Sequence, residues 1–199
     1  MTARHVHFSA IRWLTARFVG LALLASVLIV AGGCVRAANR PDVDGAKQFD
    51  RFPLYWVGER FEKWNLTHID GLDRPEDFVT FLYGTCTPSG GGDEQSCTLP
   101  LEIQVSQLCA HLDVVASAPI WRHRRIRGAP VGTIDSAPVL FTRGAQVKVY
   151  RGEGSDPGLP LRALRALRSI NHIPPVIGPT GAIPAPSRDV LVGTRPCVG

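Results

Sequence analysis

The sequence predicts an α+β protein: a mostly antiparallel sheet, one helix packed on a face, and a Pro-rich C-terminal tail. Leu99, Leu101, Ile103 and Val105 alternate with Pro100, Glu102, Gln104 and Ser106, the period of two of a strand with one buried face. Leu161, Leu164 and Leu167 make an apolar stripe at helical spacing. From Ile173 onward Pro174, Pro175, Pro179, Pro184, Pro186 and Pro196 fix φ and remove backbone donors, so that stretch is extended.

The chain opens with a leader. Residues 1–33 carry Arg4, Arg12 and Arg17 and no acid, and residues 18–31 are an unbroken apolar run ending at Gly32-Gly33-Cys34. Basic start, apolar middle and small residues at the end are the layout of a secretory signal. The uncharged stretch between Arg17 and Arg36 has 18 residues, slightly short of the ~20 that span a bilayer. The arginines precede it, which sends the rest of the chain outward. Without an Arg-Arg pair, the general secretory route is implied. Ala31-Gly32-Gly33-Cys34 resembles a bacterial lipoprotein cleavage box, with Ala31 where Leu is usual. The resemblance implies lipid on Cys34 and a place at the outer face of the cytoplasmic membrane. An uncleaved anchor and full secretion are the alternatives. Of the net charge of +5, the three leader arginines supply +3, which leaves +2 on the remainder. The basic pI is therefore no argument for nucleic-acid recognition.

Residues 34–48 are polar, lack apolar periodicity, and read as a flexible tether. Residues 49–172 are the globular domain. Leu54–Val57 is a strand stopped by Gly58, whereas residues 59–70 have no decisive pattern. Phe78–Tyr83 is nearly all apolar, as for a strand covered on both faces. With the alternating strand it predicts a hairpin, residues 78–86 and 97–107, around a Gly-rich loop. Val139–Thr142 and Gln146–Arg151 form a second pair hinged at Arg143-Gly144. The helix spans about 157–170: Ser155-Asp156 offers an N-cap, Pro157 suits the first turn, Asn171 a left-handed end, and Pro174-Pro175 forbid continuation. Residues 173–199 are the tail, which Cys197 predicts to be pinned to the domain.

Five cysteines are an awkward number for an exported chain. With lipid on Cys34, the remaining four make two disulfides in an oxidising compartment. The hairpin predicts Cys86 with Cys97 across the loop mouth, leaving Cys109 for Cys197.

The lipoprotein-like leader, the YWVG strand, FVTFLYGTC and CTLPLEIQVSQLC together resemble small envelope proteins of high-GC actinobacteria. The likeness covers roughly half the mature chain and supplies no activity.

Chemistry is thinly marked. His68/Asp70 and His111/Asp113 are two His-x-Asp pairs; brought together, they would hold a divalent metal for hydrolysis. There is no G-x-S-x-G elbow. Gly90-Gly91-Gly92 reads as a hairpin tip, with no Lys-Ser/Thr after it. Arg122, Arg124, Arg125 and Arg127 form the densest basic stretch, a candidate anionic-surface patch or else a solvated loop. Arg162, Arg165 and Arg168 form a second stripe. The sequence thus favours a membrane-anchored, extracytoplasmic, non-enzymatic binding module with no cofactor, partnered by an envelope protein or an anionic surface. The alternatives are an accessory subunit of an envelope complex or a metal-dependent hydrolase.

Overall fold

The central element is an eight-stranded antiparallel sheet made from two four-stranded meanders joined at their last strands. The computed structural model describes residues 40–74, 78–85, 99–111 and 120–192, with backbone alone at 110, 111 and 120–123. The leader, Cys34, the Gly90–Gly92 loop and Cys86, Cys97 and Cys197 lie outside those residues. No described helix is long and apolar enough to cross a membrane.

The first meander is β2 (Arg60–Phe61), β3 (Trp64–Asp70), β4 (Val79–Gly84) and β5 (Leu101–Gln107). The second is β6 (Ile120–Ile126), β7 (Ala129–Ile134), β8 (Ala137–Phe141) and β9 (Ala145–Arg151). The sheet order is β2-β3-β4-β5-β9-β8-β7-β6, so the chain crosses from the centre to the far edge between β5 and β6. The predicted hairpin is present as β4 and β5, with Val79 opposite Val105 and Tyr83 opposite Leu101. The second predicted pair is β8 and β9, with Leu140 opposite Val147.

The strands not expected have identifiable reasons. In β3 the register shifts between Leu66 and His68, so that Leu66 and Ile69, three apart, both reach the core. Such a bulge breaks the alternation by which a strand is recognised. The β6–β7 and β7–β8 connections are two-residue turns at Arg127-Gly128 and Asp135-Ser136, all four residues with positive φ. That is the twist-matched hairpin geometry, here mostly without the glycines that usually announce it. The basic stretch is therefore no loop: it lies in β6, an edge strand, and in the turn that follows it.

One face of the sheet is covered. Phe81, Ile103, Val147 and Val149 point from it into the core and are fully buried. Helix α2 (Leu159–Ala166) packs on β9 and β8 through Leu159, Ala163 and Leu164. It is shorter than the predicted 157–170. Gly158 is the N-cap, Pro160 lies in the first turn, and the chain turns extended at Leu167. Arg168-Ser169 (β10) then pairs with Tyr55-Trp56 (β1) as a separate two-stranded sheet. Strand pairing takes the residues that the helical stripe would have continued through. Two further helices are α1 (Val43–Gln48) and α3 (Arg188–Leu191). Helix α1 corrects the tether, which was expected to run to residue 48. Asp42 caps the helix by accepting from the Gly45 N–H at 2.8 Å, and Ala46 is fully buried. Val43 packs beside it, and two apolar residues in a six-residue helix are too short a signal for periodicity to register.

Asn171 is not a left-handed helix end. It is 2% exposed, accepts from the Leu54 N–H at 2.9 Å, and donates to the Phe49 and Phe52 carbonyls at 3.0 and 2.8 Å. One amide thus ties the entry segment to the chain after α2. The tail from Pro175 to Ile183 is threaded over the covered face. Ile177 and Ile183 are buried, the Ser169 N–H donates to Ile177 O, the Ile183 N–H to Arg127 O, and Tyr55 Oη to Pro175 O.

Candidate functional site

The other face of the sheet has a divided character. Its residues follow from the register, because directly paired residues in antiparallel strands share a face. One row runs Asp70, Thr80, Gln104, Lys148, Val139; the next runs His68, Leu82, Glu102, Tyr150. Beside them Ser106 stands opposite Gln146, and Gln146 opposite Phe141. Tail helix α3 closes the apolar part, where Leu191 packs with Leu108, Val139 and Phe141. What is left is a cleft of about 220 Å³ lined by Phe78, Gln104, Ser106, Ile134, Asp135, Gln146 and Lys148.

Three features set this cleft apart. Ser106 and Gln146 are both more than nine-tenths buried, and Gln146 Nε2 donates to Ser106 Oγ at 2.9 Å. Gln146 Oε1, equally buried, has no hydrogen-bond partner among the described residues. A buried acceptor left unmade costs about 1–3 kcal/mol. Lys148 Nζ meets Asp135 Oδ2 at 2.7 Å and lies 5.0 Å above the Tyr150 ring. Burial pulls the Lys148 pKa down, but its bonds to Asp135 and Tyr150 outweigh this and hold it above the ordinary lysine value. Phe78 presents a large apolar side chain at the rim, 44% exposed.

Two larger hollows, about 670 Å³ each, flank the loop of residues 152–157. In the second of them Arg162 bridges Glu62 at 2.7 Å and Asp156 at 2.9 Å. The small cleft is lined by Gln146, whose buried side-chain oxygen has no partner among the described residues. The chain matches no family model, no curated protein and no solved structure.

The predicted site residues do not gather there. His68 and Asp70 share the open face, where Asp70 accepts from the Gly71 N–H at 2.9 Å. The row of His68 crosses β5 at Glu102, whereas His111 follows the other end of β5 beyond Gln107. At the rise of a strand, those five residues span about 17 Å of β5. Asp113 lies outside the described residues, and among those described no group of three or more His, Cys, Asp or Glu is placed to hold a metal.

The basic stretch is also divided. Arg124 and Arg125 are exposed, and Arg125 donates to Gly128 O; the Arg122 side chain is outside the description. Arg127 turns inward. Its guanidinium donates to the carbonyls of Leu167 and Gly178, and to Gly181 at 2.7 Å, joining the end of α2 to the tail, and burial lowers its pKa. Arg168 belongs to β10 rather than to a helical stripe and lies over Trp56 at 5.4 Å. Cys109 is disulfide-bonded, and no other cysteine is among the described residues.

Every residue of the cleft was missed from sequence. The available signal was that Gln104 and Ser106 alternate with aliphatics, as do Gln146 and Lys148. Nothing in the sequence says that these two strands, 40 residues apart, are neighbours.

Proposed function

We propose that this chain is a non-enzymatic binding module, exported by the general secretory route and tethered by its N-terminus at the outer face of the cytoplasmic membrane. Its ligand seat is the open-face cleft. One observation carries the seat: Gln146 Oε1 is buried at the cleft without a partner among the described residues. Buried polar atoms are otherwise nearly always satisfied, and an exception calls for an explanation; a ligand donor is the explanation offered here. The tether is supported by the leader, Cys34 and the odd cysteine count. In this reading Cys34 carries lipid, Cys86 pairs with Cys97, and Cys109 with Cys197.

The test is to purify the full chain from its native membrane in mild detergent and identify small molecules released on denaturation. A released compound should accompany the native chain and be missing from Gln146→Leu. Leucine removes the orphan acceptor but also takes the Nε2 donor from Ser106 Oγ, so the two effects should offset and leave stability within about 1 kcal/mol of the native chain. Identical release from both chains would remove the cleft from consideration.

A further inference from the structure

We infer that the open-face cleft takes a neutral sugar ring. This inference rests on the cleft being the ligand seat and adds the chemical class of the ligand. The first argument is hydrogen-bond arithmetic. Gln146 Oε1 can only accept. Ser106 Oγ already accepts from Gln146 Nε2, which leaves its own hydroxyl proton to donate. The ligand must therefore give a proton to one atom and receive one from its neighbour. A hydroxyl does both. A carboxylate or phosphate has little or no proton to give at neutral pH and would face the Gln146 carbonyl oxygen lone pairs; an ammonium group can donate but never accept.

Charge gives the second argument. Lys148 and Asp135 are the charged residues lining the cleft, and they are paired with each other at 2.7 Å. The lining thus sums to no net charge, which suits a neutral ligand. Each partner also keeps capacity: an ammonium group has three donors and a carboxylate about four acceptor sites. With Gln104 beside them, several polar groups surround one small space, and satisfying them needs several hydroxyls. A peptide amide offers one donor and one acceptor on opposite edges of a rigid plane, which cannot serve them together.

Size and shape give the third. A volume of about 220 Å³ is below the ~300–1,000 Å³ typical of drug-sized sites, and so admits one ring-sized unit. Phe78 and Ile134 wall it with apolar surface, matching the C–H face of a sugar ring. An aromatic surface beside convergent amide, hydroxyl and charged groups covers both halves of such a molecule.

The experiment is saturation-transfer NMR on the full chain in phosphatidylcholine nanodiscs. The probes are glucose, galactose, mannose and N-acetylglucosamine, with N-acetylglycine methylamide and inorganic phosphate beside them. At least one sugar should show transfer to its ring protons at about 10 mM, the range of weak single-ring binding. Affinity should fall roughly tenfold or more in Gln146→Leu, as the loss of one buried hydrogen bond implies. Ser106→Ala should weaken the same sugar, and Arg165→Ala, on the far side of the molecule, should not. Circular dichroism checks that each variant folds. Transfer to the methylamide alone, lost in Gln146→Leu, would overturn the sugar and leave the ligand seat standing. Sugar binding that survives in both Gln146→Leu and Ser106→Ala would overturn the cleft itself. No transfer to any sugar would overturn this inference, whereas the ligand seat would still stand or fall by the compound released from the native chain.

Discussion

Two buried side-chain amides lie on opposite sides of this sheet, and they have been treated differently by the fold. Asn171, on the covered side, has each end of its amide engaged, by three backbone groups. Gln146, on the open side, is nearly as buried and has its nitrogen engaged and its oxygen unpartnered among the described residues. Burial penalises any polar atom left unpaired, so a fully paired amide is a structural tie. An amide paired at one end is a cost carried for some other reason. The two faces differ in the same way: among the described residues, one is closed by helix, tail and apolar side chains, while the other is closed where α3 lies on Val139 and Phe141.

The sharpest way to break the comparison is to give both amides the same apolar replacement. Asn171→Leu strips partners from the Leu54 N–H and from the Phe49 and Phe52 carbonyls, and should cost about 4 kcal/mol in urea unfolding. Gln146→Leu loses one bond, to Ser106, but also removes the orphan oxygen, and should cost about 1 kcal/mol or less. Equal losses would mean that the two faces are not different in kind.

Alkaline pH probes the covered face next. Burial pushes the Tyr55 phenol from its ordinary 10.0 up to about 12, and raises Tyr83 further. The fold favours the neutral phenol. Its contribution is therefore intact below pH 10.0 and is lost progressively as pH rises toward the folded value. For Tyr55 this amounts to about 2–3 kcal/mol by pH 12. Tyr55→Phe should flatten that part of the stability-versus-pH curve, at a neutral-pH cost of about 1 kcal/mol for the bond to Pro175. A curve of unchanged slope would show that Tyr55 stays wet.

The smallest of the three effects concerns how the covering is attached. Arg127→Met keeps the stem and removes the donors to Leu167, Gly178 and Gly181. The loss should be about 2 kcal/mol, with faster proteolysis in residues 173–183. If the tail is cut no faster, its buried isoleucines hold it without the arginine.

How much of this was legible follows the range of each interaction. The hairpin of β4 and β5 could be read because alternation and a Gly-rich connection are local. Strand β3 could not, since its bulge interrupts the period at Thr67, whose hydroxyl donates to Leu82 O at 3.1 Å. Strands β6 and β7 were hidden because Arg127 and Ser136 take up left-handed conformations without the usual turn residues. Of the candidate site, individual polar positions on β5 and β9 were visible, but their juxtaposition was not.

The sequence alone determined the α+β class, the alternation that divides β5 and β9 into an apolar and a polar face, and the apolar stripe of α2. These depend on neighbours within a few residues, where side-chain period and backbone geometry suffice. The tertiary structure alone decided that β5 and β9 lie side by side, that α2 gives way to β10, and that Arg127 faces inward. It alone left one amide oxygen in a cleft without a partner among the described residues. Each of those outcomes rests on residues far apart in the chain, whose meeting depends on how all the apolar faces are covered at once, and no local pattern encodes that.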